Sequence, residues 1–221
     1  MQLALQYSAY AIGLWLNLLV VSALMRGTYR QYPFVLAYAL TLLVSTVAEI
    51  GLRAVPKDLW DSYYWADEVI LDVLVFCVVI AFIDHAARNS KQKLMERHWL
   101  VLAAAAICAI SFALHYGLPR NRQMTLISRD LNICAVILDL ILWSLLVAAR
   151  RPDRRLMLLS GGLGLQLTGA VMGEQLRHFA RSLYLTGTLL EVTTGLLALY
   201  VWWRALRPVS APARLDHIKT L

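Results

Sequence analysis

At 221 residues the chain has the length of one soluble domain, yet 60% of it is hydrophobic and only 16% charged. A mean hydropathy of +0.60 and seven apolar stretches of roughly 20 residues each exclude a soluble globular domain of ordinary composition. The formal charge of +7 is concentrated between those stretches, where lipid headgroups and membrane topology account for it, and this argues against nucleic acid as a partner.

The first predicted span covers 9–25 and follows eight residues without Lys or Arg. It lacks the basic leader of a cleavable signal peptide and is expected to be retained. The second, 34–53, starts behind Pro33 and carries Thr41, Ser45, Glu49 and Arg53 at four-residue intervals. The third, 65–87, places Glu68 and Asp72 one turn apart, and the fourth, 99–117, holds His115 near its end. The fifth, 127–149, sets Asn132 and Asp139 two turns apart, with Arg129 one turn outward. The sixth, 156–177, begins Ser160-Gly161-Gly162-Leu163-Gly164, continues to Gly169 and Gly173, and bears Gln166, Glu174 and Arg177, with His178 adjoining. The seventh, 183–203, has Thr188, Glu191 and Thr194. Prolines fall at or beyond span ends, as a helix interior demands. The expectation is an all-α polytopic bundle of seven transmembrane helices over 1–203, followed by a basic cytoplasmic tail over 204–221.

Loop charge sets the orientation. The loops around 26–30, 88–97 and 150–155, with the tail from 204, hold fourteen Lys and Arg, against seven around 53–57, 120–129 and 177–181. The richer side is expected in the cytoplasm, with the N-terminus outside. Cys77, Cys108 and Cys134 all lie within apolar segments and read as packing residues.

Residues three, four and seven apart share a helix face, so each of these spans carries a polar seam. Such seams must face one another, because a charge turned to lipid costs several kcal/mol near the midplane. At a rise of about 1.5 Å per residue, Glu49, Glu68, Asp72, His115, Glu174 and His178 lie near the outer rim, Glu191 deeper and Asp139 near the midplane. The pattern predicts an outward polar vestibule with Asp139 and Glu191 at its floor. Asp72, Glu68, Glu49 and Glu174 would line the walls, and Arg53 and Arg177 would act as counter-charges. The competing structural reading is that the same groups are interhelical glue. No cation stands within one turn of Asp139 or Glu191 along its own helix, so each needs a partner on another helix, a proton or water. The small residues at four-residue spacing in the sixth span predict close helix packing.

Chemistry narrows the classes. All four lysines, Lys57, Lys91, Lys93 and Lys219, lie outside the spans, which excludes a retinal Schiff base. No GxSxG, HExxH or HxxxH occurs, and no cofactor is implied. A metal site could draw only on His115, His178 and Glu174, the basis for a metal-dependent hydrolase as an alternative. A weak internal match aligns helices 1–3 with 5–7, bringing Leu71-Asp72-Val73 onto Leu190-Glu191-Val192. Two three-helix units joined by one helix would form a parallel repeat of a kind used by transporters.

Tyr63-Tyr64-Trp65-Ala66-Asp67-Glu68 and Tyr32-Pro33-Phe34, within this layout, loosely resemble uncharacterised bacterial seven-helix integral membrane proteins. The architecture is also distantly similar to the seven-helix input modules of bacterial sensor kinases. That resemblance implies a bacterial inner membrane and a sensory role read by a cytoplasmic signalling partner. It transfers no functional residue. The expected function is a sensory or ligand-binding module for a small polar or cationic ligand, or protons. The alternatives are a small secondary transporter and an accessory or assembly subunit.

Overall fold

Backbone chemistry places the helix boundaries. Pro33 opens the second helix, where its missing N–H is no loss, and Pro119 stands just before the fifth. Asp153 caps the sixth, accepting from the Arg155 and Leu156 amides at 2.9 and 3.3 Å, a cap worth about 1 kcal/mol. The first helix ends in a wide turn, Leu24–Thr28, where Gly27 takes φ 127°, and Gly117 takes φ 91° after the fourth. Both angles belong to the left-handed region that glycine enters without strain.

The structure is a computed structural model that describes residues 2–51, 57–89, 97–117, 119–148 and 153–207. Among them the chain is all-helical, without a strand: α1 (Gln2–Ala23), α2 (Pro33–Gly51), α3 (Lys57–Asn89), α4 (Arg97–Leu114), α5 (Arg120–Ala148), α6 (Arg154–Phe179) and α7 (Tyr184–Leu206). Six helices are long and apolar enough to cross a membrane: Ser8–Thr28, Pro33–Gly51, Tyr63–Ala86, Gln123–Val147, Arg154–Arg177 and Tyr184–Leu206. The sequence predicts seven such spans; six are counted among the described residues, and the fourth lies partly outside them, its described apolar part being Ala105–Leu114. The outer surface fits lipid. Trp15, Val44, Leu140 and Val147 are each more than 60% exposed, which water would penalise as a continuous apolar coat.

The helices alternate in direction. Tyr10 of α1 meets Glu49 of α2, Tyr32 before α2 meets His85 of α3, and Ser111 of α4 meets Asp130 of α5. Asp139 of α5 meets Ser160 of α6, and Gly173 of α6 meets Gly187 of α7. Hence α1, α3, α5 and α7 all begin at one end, the N-terminal end of the bundle. In cross-section α1, α2, α3, α5, α6 and α7 form a ring closed by α7 on α1, while α4 stands outside it against α3 and α5.

The α6–α7 pair is the most extensive. As the spacing predicts, the small residues of α6 bring backbones close. A Cβ on Gly173 would stand 2.7 Å from the Gly187 carbonyl oxygen, and one on Gly187 would stand 2.5 Å from that of Gly173. Trp202, 1% exposed, lies against Gly162, donates Nε1–H to the Leu159 carbonyl at 2.8 Å and meets Tyr38 edge-on.

Candidate functional site

Glu68 and Asp72 sit one turn apart on α3 and turn toward α5. There Ser128 donates its hydroxyl to Glu68 Oε1 at 2.9 Å, and Asn132, one turn on, donates to Ser128 Oγ at 3.4 Å. Asp72 is buried and lies close to the same serine, whose single proton goes to Glu68. The Tyr64 hydroxyl, one turn before Glu68, lies close to the Glu68 carboxyl. From α6 and α7, Glu174 and Glu191 come within electrostatic range of Glu68. Arg177 of α6 donates Nη1–H to Glu191 Oε2, forming an ion pair across the α6–α7 seam.

Two smaller polar groups lie at the same end. Tyr10 donates to Glu49 Oε1 at 3.0 Å, and Ser45 donates to Asp67, with Tyr63 a further partner of Ser45. Against α4, Ser111 donates to Asp130 Oδ2 at 3.0 Å. His115 Nδ1 and Arg129 Nη2 each approach Asp130 at 3.8 Å.

Asp139 is elsewhere. It is 3% exposed and accepts from the Ser160 hydroxyl at 2.8 Å. Its second oxygen fills the space that a side chain on Gly164 would take. Glu191 of α7 packs beside Gly173 of α6, the helix that also carries Gly164. Nine residues separate Gly164 from Gly173, about 14 Å along the axis. The two residues expected to share a floor therefore occupy different layers: Glu191 belongs to the acid cluster and Asp139 to a closed site between α5 and α6.

The structure thus brings Glu68, Asp72, Glu174, Glu191 and Arg177 into one neighbourhood. Glu49 stands with Tyr10, and Asp139 with Ser160. Arg53 and the His178 side chain lie outside the described residues. Among the described residues no three His, Cys, Asp or Glu side chains are placed to hold a metal ion, and His115 is engaged with Asp130. Sequence reasoning missed Ser128, Tyr64, Asp67, Asp130 and Gly164. The first is a serine one turn before Asn132 on an already polar face, a signal that was available. Gly164 carried only the signal of close packing, and its place against Asp139 depends on which face of α6 meets α5. The three cysteines are free thiols, each partly buried.

No protein-family model matches the chain, no curated protein matches it in sequence, and no solved structure matches it in fold.

Proposed function

We propose that the protein is a multi-pass protein of a bacterial inner membrane that binds a small cationic ligand, or protons, at the acid cluster of its N-terminal end. That end faces outward in this reading, with the C-terminus cytoplasmic. A shift of α5–α7 against α1–α3 on binding would be read by a cytoplasmic partner. The observation that supports it best is the gathering of Glu68, buried Asp72 and Glu191 at one end of the bundle, with Arg177 paired to Glu191. Among the described residues these three carboxyls around one paired guanidinium leave negative charge to be met by protons or by a cation. In a low-dielectric setting that demand is strong. Fully paired glue would need neither.

Thermal unfolding of the purified chain against pH and a panel of metal and organic cations tests this. A cation that binds the folded protein raises its apparent stability, by about 2.7 kcal/mol at a hundredfold excess over Kd. Glu68→Gln and Asp72→Asn are expected to abolish that gain, while Asp139→Asn, in the separate site, keeps most of it. If the wild type responds to no cation and both cluster variants melt higher at every pH, the cluster is structural and the reading fails.

A second reading is a small secondary transporter, favoured by the ring. Rotating α1–α2–α3 onto α5–α6–α7 maps the α3–α5 seam onto the α7–α1 seam, the pattern that a parallel repeat produces. Cation flux into liposomes supports this reading, and saturable binding without flux supports the sensor.

A further inference from the structure

A cavity of about 530 Å³ opens where α2 and α4 flank α3, running from the level of Val73, beside Asp72, to His85 toward the opposite end of the bundle. Its volume is that of a ligand pocket, within roughly 300–1,000 Å³. Its deep wall is apolar: Val73, Phe76, Cys77, Ile80, Cys108 and Leu131. The mouth is polar, with Arg30, Gln31, Asp84 and His85. Val73 is 50% exposed and Ala105, on the α4 side, is exposed as well, so the cleft opens sideways on the outer surface of the helices.

We propose that this cleft holds one acyl chain of a membrane phospholipid, with the chain end at Val73 and the phosphate at Arg30. The dimensions fit. From Val73 to His85 is twelve residues of α3, about 18 Å, against about 15 Å for half of a ~30 Å hydrocarbon core. The cleft is therefore one leaflet deep, greasy along the depth of the acyl region and polar at headgroup level. A small polar solute would find its polar partners only at the mouth and would leave the apolar wall unfilled.

Arg30 gives the mouth a cation for that phosphate, with the Asp84 carboxylate also on the rim. The Arg30 guanidinium is exposed and lies 5.9 Å over the Tyr29 ring, which orients it beside the mouth. Tyr32 is 4% exposed, wedged between Phe82 and His85, and its hydroxyl has no hydrogen-bond partner among the described residues. A buried hydroxyl without a partner is costly. Burial, then the nearby Asp153, pushes this phenol up to about 12, against a smaller opposing effect of Arg155.

The assignment rests on the membrane reading and is independent of the acid cluster. The test reconstitutes the full chain in vesicles containing phosphatidylglycerol with a photoactivatable diazirine near the acyl terminus, followed by peptide mapping of adducts. Adducts are expected on α3 and α4 at Val73, Cys77 and Cys108. Ala105→Phe, which fills the cleft, should abolish them, whereas Leu102→Phe, exposed but outside the cleft, should leave them in place. Diacylglycerol bearing the same label should give fewer cleft adducts than the phospholipid, and Arg30→Gln should erase that difference. Even labelling of exposed residues such as Val44 and Leu140, or cleft adducts that survive Ala105→Phe, overturns the proposal. Equal labelling by the two lipids in the wild type overturns the role of Arg30. A chain that fails to enter vesicles counts against the membrane reading itself.

Discussion

Asp139 shows how much a single buried carboxyl asks of its neighbours. One oxygen accepts from Ser160 at 2.8 Å, and the other rests where Gly164 has no side chain. Gly164→Ala therefore forces a methyl group against an oxygen of a buried carboxyl that Ser160 also holds. Overpacking of this kind costs about 1–3 kcal/mol. We expect Gly164→Ala to lower the melting temperature in detergent, and Asp139→Ala in the same chain to recover part of the loss. A double-mutant cycle measures that coupling, and additive losses would show that the two sites do not touch. The carboxyl itself was legible in the sequence, because an acid in the middle of an apolar stretch stands out. Its partners were not, because a serine and a glycine near the start of α6 read equally well as packing residues.

At the scale of elements, α6 and α7 pack through backbone rather than through long side chains. Gly187 faces the Gly173 carbonyl, whereas Gly195, two turns further along α7, would meet nothing within 4 Å. Two substitutions of identical chemistry should therefore part ways. Gly187→Ala pushes the helices apart and should lower stability by more than about 1 kcal/mol. Gly195→Ala should be tolerated, with a gain of up to about 1 kcal/mol from helix propensity. Thermal melts of the two variants side by side decide it, and equal losses would count against the close α6–α7 contact. The glycine and serine spacing on α6 announced a tight neighbour. Which helix would supply it was hidden, since α7 contributes Gly187 and Thr194 without any comparable run.

For the whole molecule, composition and period made the helical, membrane-compatible class readable, because apolar length is written directly into the chain. The fourth segment is apolar like the others, and α4 stands outside the ring, a placement that composition does not encode. The polar seams were readable as seams, while their grouping depended on the ring order. That order places α3 beside α5 rather than only beside its neighbours in sequence, and so puts Glu68 against Ser128. The Asp139–Ser160 bond also bears on how the protein is made. An aspartate near the centre of a helix opposes insertion from the translocon by about 2.5–3.5 kcal/mol, and its satisfying groups lie on the helix synthesised next. The fifth and sixth helices should consequently enter the bilayer together as a hairpin. In a series of chains truncated after α5 or after α6, each fused to a glycosylation reporter, α5 is expected to insert poorly until α6 has emerged. Asp139→Leu should remove the delay, and unassisted insertion of wild-type α5 would show that its aspartate finds lipid-side relief without α6.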